Sequence, residues 1–148
     1  MYKKILVPLD GSPLAETILP HVEKLALRLG SEILLLYVDD NADFLLERDE
    51  VVDVNSRIAE HRQRIEAKKA YLQAMVDKWH ARDMAAGYQI GHAPVVAAII
   101  DCATQQGAEL VAMSSHGLGG AEKAFYGSVA AGVLNRIDRP LLIVRAQF

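Results

Sequence analysis

The runs Ile5-Leu6-Val7-Pro8-Leu9 and Ile33-Leu34-Leu35-Leu36-Tyr37-Val38 constrain this chain most, because neither alternates apolar with polar residues. A strand with one wet face alternates. A continuous apolar run of this length needs cover on both faces, as at the centre of a parallel sheet between helix layers. Between the runs, Leu14, Ile18, Val22, Leu25 and Leu29 recur every three or four residues and Gly30 follows. That spacing predicts an amphipathic helix starting after Ser12 and stopped at Gly30. Pro20 lies inside it and is expected to remove an internal hydrogen bond and kink it without breaking it. The opening is therefore a βαβ unit, right-handed by the usual chirality of such crossovers.

The remainder alternates in the same way. Residues 39–55 turn acidic and lose periodicity, which reads as an excursion after the second strand. Ile58, Ile65, Leu72 and Trp79 then repeat every seven residues among charged ones, predicting a long helix with a narrow apolar seam. Cover for the sheet is a better use of that seam than a membrane surface or a coiled coil. Tyr88-Gln89-Ile90 is a short strand, and Pro94 fits the first turn of a helix that ends at Gly107 and turns Val95, Val96, Ile99 and Ala103 inward. A strand over residues 108–114, a Gly-rich loop, a helix over residues 128–137 carrying Val129, Val133 and Ile137, and a strand over Leu141–Val144 complete the chain. Alternating strands and helices predict an α/β fold, an open doubly wound parallel sheet of five strands with helices on both faces. A chain of 148 residues buries roughly 70% of its unfolded surface, and no linker or repeat divides it, so residues 1–148 read as one domain.

Several function classes are disfavoured. The only cysteine, Cys102, has no disulfide partner and sits in an apolar helical pattern, so it reads as a buried structural thiol rather than a reactive one. No apolar run approaches the ~18 residues that span a bilayer, and the N-terminus passes from two lysines straight into a strand, which points to a cytoplasmic protein without membrane contact. Net charge is −3 with both signs interleaved, so no basic stripe offers itself to nucleic acid. The P-loop pattern is absent, as is Gly-x-Gly-x-x-Gly after the first strand. The His-x-Gly-His and Ser-Gly-Gly-x-Asp-Ser signatures of adenylylating α/β enzymes are also missing. Five scattered histidines show no metal-ligand spacing. No residue stands out as a general base with an oriented partner, so no catalytic residue is assigned.

One segment does carry chemistry. Ser114-Ser115-His116-Gly117 is followed by nine residues and then by Gly127-Ser128, joining a buried strand to a helix start. A Gly- and Ser-rich linker ending at a helix N-terminus gathers unpaired N–H groups and hydroxyls at the positive end of the helix dipole, which suits phosphate oxygens. Gly117 and Gly127 permit close backbone approach. Ser128 can cap the helix, donate its hydroxyl to phosphate, or do both. His116 can touch phosphate or order the loop.

These residues, with the opening Lys3-Lys4-Ile5-Leu6-Val7-Pro8-Leu9-Asp10-Gly11-Ser12 and the closing Pro140-Leu141-Leu142-Ile143-Val144-Arg145, resemble the ATP-binding universal stress proteins over nearly the whole chain. The resemblance implies an adenine nucleotide alpha hydrolase-like sheet of strand order 3-2-1-4-5. It also implies a nucleotide crevice formed by Pro8, Leu9 and Asp10, by Val38, by Met113, Ser114, His116 and Gly117, and by Gly127, Ser128 and Val129. Asp10 is then the ribose partner, the alternative being that it only caps its own turn. Val38 would meet adenine through its backbone. Two departures stand out: Ser114 replaces the first glycine of the family's Gly-x-x-Gly pair, and Leu118, followed by Gly119-Gly120, replaces a frequent arginine. Lys123 can restore that cation or remain a surface lysine. The implied ligand is ATP, with Mg²⁺ or Mn²⁺ arriving on its phosphates, and the implied partner is a second copy, paired through the edge strand Leu141–Val144. The resulting reading is a stress-response homodimer with at most slow ATP hydrolysis. Its rival is a dimeric interaction module of the same fold that binds nucleotide weakly or not at all.

Overall fold

A computed structural model describes residues 1–40, 54–117 and 127–147. The first apolar run forms β1 (Lys4–Leu9), flanked by β2 (Glu32–Asp39) and β4 (Leu110–Ser114), while β3 (Ala86–His92) and β5 (Leu141–Val144) lie outside them. The order is β3-β2-β1-β4-β5, as the family resemblance implied, with every neighbouring pair parallel. Among the described residues the α-helices are α1 (Leu19–Leu29), α2 (Val54–His80), α3 (Val95–Gln106) and α4 (Ser128–Arg136).

The continuous apolar runs are explained by two cores, one on each face. Ile5, Val7 and Leu9 of β1 join Ile33 and Leu35 of β2 under α1 and α2, where Val22 and Leu72 are fully buried. Leu6, Leu34 and Leu36 point the other way, toward Ile99 of α3 and Val133 of α4. Each such side chain taken from water contributes about 1.5–3 kcal/mol, so both faces must be apolar. Cys102 lies in the second core, and burial pushes its thiol pKa up, as a structural cysteine requires. Arg139 closes the far end of that layer: its guanidinium donates to the carbonyls of Ala103 (2.8 Å) and Ala108 (2.9 Å), satisfying acceptors at the end of α3. Among the described residues no helix is long and apolar enough to cross a membrane.

Three expectations need correction. The first helix is not one kinked rod: a 3-10 turn (Ala15–Ile18) precedes α1, and Pro20 falls in the first turn of α1, where its missing N–H costs nothing. The buried stripe is Ile18, Val22 and Ala26, while Leu29 is 45% exposed beside the left-handed Gly30 (φ +67°) that ends the helix. Second, α2 is buried only through Leu72, Val76 and Trp79, and Ile58 is 42% exposed. Its C-terminal end is fastened to α1 by Trp79 Nε1–H donating to Glu23 (3.4 Å) and, in the turn just past the helix, by an ion pair between Arg82 and Glu23 that holds the Glu23 carboxyl below the usual range. Third, β3 extends from Ala86 to His92, because seven residues of parallel pairing with β2 order the flanking glycines that broke its sequence signal.

Among the described residues β5 pairs only with β4, and its four residues are half-buried. Leu72→Ala is expected to cost about 2–5 kcal/mol in urea unfolding, whereas Ile58→Ala, on the exposed half of the same helix, should change stability by no more than about 0.5 kcal/mol.

Candidate functional site

The chain builds outward from β1 to β2 and β3 on one side and then crosses to β4 and β5 on the other, so the carboxyl ends of β1 and β4 are the switch point at which open parallel sheets of this kind offer a crevice. The β1–β4 ladder aligns only Ile5 with Leu110 and Leu6 with Val111. The last residues of both strands therefore carry no mutual ladder bonds, and the sheet opens there.

After β1 the chain turns at Asp10, Gly11 and Ser12. The N–H of Ser12 donates to Asp10 Oδ1 (2.9 Å), Ser12 Oγ accepts from the N–H of Ala15 (3.1 Å), and Gly11 takes φ +86°. Asp10 thus holds its own turn with one oxygen. Its other oxygen faces the β4 loop: a Cβ added to Gly117 would stand 2.1 Å from Asp10 Oδ2, so only glycine fits against that carboxylate.

The β4 loop is fixed at both ends. The N–H of Ser115 donates to the carbonyl of Val144 (2.9 Å), the N–H of Gly127 to the carbonyl of Ser115 (2.7 Å), and the N–H of Ala146 to Ser115 Oγ (2.9 Å). His116 is buried, its Nδ1 lies 2.8 Å from Ser115 Oγ, and its ring packs against Gly127. These contacts tie His116 to both described ends of the loop. Ser114 is buried as well; its hydroxyl lies 3.3 Å from Thr17 Oγ1 and accepts a long bond from the N–H of His116 (3.4 Å). Its extra atoms are thereby absorbed inside the protein.

Gly127 is the N-cap of α4 (φ −67°, ψ 167°) and Ser128 is its first helical residue, so Ser128 does not cap the helix. The first N–H groups of α4, those of Ser128 and Val129 included, have no intrahelical acceptor. Ser128 is exposed, and the Val129 side chain packs on the second core. Leu9 and Met113 are buried core residues, which leaves only their backbone for a ligand. Pro8 lies within β1, opposite Leu36. Val38, near the end of β2, packs on the second core beside Gly91, on the α3 side of the sheet. Leu118, Gly119, Gly120, Lys123 and residues 41–53 lie outside the described residues.

One residue was missed. Lys68 of α2 reaches the same turn: its Nζ would stand 2.5 Å from a Cβ on Gly11, and it lies over the rings of Tyr37 (5.4 Å) and Tyr71 (6.0 Å). Burial raises the pKa of both phenols, with the Asp39 charge adding for Tyr37 and the bond to Glu16 adding for Tyr71, so both rings stay neutral under the ammonium. The only sequence signal was Arg64 four residues earlier, which puts two cations on one side of the helix. Among the described residues no three His, Cys, Asp or Glu side chains cluster as metal ligands would.

The sequence profile of the universal stress protein family matches residues 1–145. The universal stress protein MJ0577 of Methanocaldococcus jannaschii is 28% identical over a gapped alignment 158 positions long, covering 98% of this chain and 96% of that protein. Its solved structure superposes with a TM-score of 0.86 over 99% of this chain and 98% of the other at 25% identity. An Arabidopsis thaliana universal stress protein with AMP bound shares the fold (TM-score 0.67, 17% identity, 98% and 92% covered). So does a universal stress protein in complex with cAMP (0.61, 18%, 99% and 98%).

The contact between Asp10 and Gly117 generates a test. Gly117→Ala is expected to cost about 1–3 kcal/mol through overpacking, and the same change made on Asp10→Ala should cost clearly less. A double-mutant cycle by denaturant unfolding reads that coupling.

Proposed function

The chain belongs to the universal stress protein family, and we propose that it binds an adenine nucleotide, ATP foremost, at the β1–β4 crevice and acts as a regulatory homodimer in the cytoplasm. The observation that carries this reading is the placing of the Asp10 carboxylate against Gly117, in a crevice bordered by the uncapped first turn of α4. A carboxylate accepts two hydroxyl bonds and so suits the ribose; N–H groups at a helix N-terminus suit phosphate. Val38 supplies backbone for the base. The relatives solved with AMP and cAMP support an adenylate as ligand.

Within this reading Ser114 is no obstacle, since its hydroxyl turns toward Thr17. A divalent ion, Mg²⁺ or Mn²⁺, would come on the phosphates. The whole chain works as one domain, and the open edge of β5 offers the surface for a second copy. Hydrolysis, where it occurs, is slow. Nucleotide stabilises the folded chain by mass action, about 2.7 kcal/mol at a hundred times Kd.

The test is a calorimetric titration of ATP and AMP into protein stripped of co-purified ligand. Gly127→Asp, which sets a carboxylate at the phosphate end, is expected to weaken ATP by more than about a hundredfold, in keeping with several charge-assisted bonds lost. Unchanged affinity would remove the site. Absence of binding in the unaltered protein would favour the interaction-module reading.

A further inference from the structure

We propose that the cleft between β2 and α2 receives a second phosphoryl group, one carried on the 2′ or 3′ oxygen of the adenylate whose 5′ phosphate lies at α4. The inference rests on the crevice reading above and adds a ligand class to it: adenosine bisphosphates and larger cofactors bearing a ribose phosphate.

The cleft has a volume of about 330 Å³ and is lined by Tyr37, Asp39, Asp40, Arg64, Ile65 and Lys68, together with Ala67. Arg64 and Lys68 form no ion pair among the described residues; what Lys68 does have is the stacking on Tyr37 and Tyr71. A cation lying over neutral rings is held in place without being neutralised. The two carboxylates lie farther out along the strand. Asp39 is engaged by His61 at 3.1 Å, one further turn along α2, and Asp40 is exposed. Lys68 lines the cleft and also reaches the Gly11 turn beside Asp10.

Position then selects the ligand. α4 packs on one face of the sheet and α2 on the other, and Asp10, just past the end of β1, meets Gly117 while Lys68 of α2 meets the next residue, Gly11. A 5′ phosphate chain running to the first turn of α4 heads away from Lys68. The hydroxyls held by Asp10 are the part of a nucleotide nearest the Gly11 turn, so a group on those hydroxyls is the one that Lys68 and Arg64 can reach. Charge-assisted bonds from ammonium and guanidinium suit a phosphate monoester.

The experiment titrates AMP, adenosine 2′,5′-bisphosphate and adenosine 3′,5′-bisphosphate into the unaltered protein, Lys68→Met and Lys68→Arg. Methionine keeps an apolar stem over the tyrosines, so the fold is retained. The expected result is that at least one bisphosphate binds about tenfold or more tightly than AMP, the scale of one charge-assisted phosphate contact. Lys68→Met should cost the bisphosphate about tenfold more than it costs AMP and so erase that advantage, Lys68→Arg should keep most of it, and added salt should shrink it. Bisphosphates no tighter than AMP, or an equal loss for AMP and bisphosphate in Lys68→Met, would overturn the proposal and leave the crevice reading standing. Failure of AMP itself to bind would overturn both.

Discussion

β1 is paired on both edges, and the rest of the structure follows from that. Its register puts Leu9 beside Tyr37 of β2 and Leu6 beside Val111 of β4. Double pairing puts the strand at the centre of the sheet, where helices cover both faces and its side chains are apolar on each. It also makes β1 the place where the direction of the crossovers reverses, so the turn that follows it must meet the turn that follows β4. Asp10 and Gly117 face each other because the strands that carry them are neighbours in the sheet though more than a hundred residues apart in the chain.

Packing and site share this geometry. The β4 loop is stitched to the end of β5 through Ser115 and to the start of α4 through Gly127, with the His116 ring filling the space between. These buried bonds fix where the α4 N-terminus points. Since the N–H groups there have no intrahelical acceptors, the protein holds a patch of positive potential in a set position before any ligand arrives. Preorganisation of that kind lowers the ordering cost of binding.

The fold was legible because its signals are long and repeated. Uninterrupted runs such as 33–38 mark doubly covered strands, and the stripe through Ile18 and Val22 marks a covering helix. Local exceptions were harder to read. Pro20 fits two positions in a helical pattern, interior or first turn, and only the preceding 3-10 turn decides between them. The heptad through Ile58 gave no sign that the sheet ends before the helix does. Within the site, the turn and loop residues could be named from their types, but their division of labour could not. Ser128 proved to be the first helical residue rather than the cap, and Ser114 turned inward to Thr17. Lys68 escaped notice because a lysine on a charged helix carries no mark of what lies across from it; its neighbours Gly11 and Tyr37 come from other elements.

The central claim is that two neighbouring strand ends build one adenylate crevice. A crystal structure of the chain grown with excess AMP tests it most directly. The account expects the sugar hydroxyls on Asp10, the base beside Val38, and the phosphate within hydrogen-bond reach of the N–H groups of Ser128 and Val129. A crevice filled by the protein's own side chains, or AMP bound away from Asp10, would contradict it.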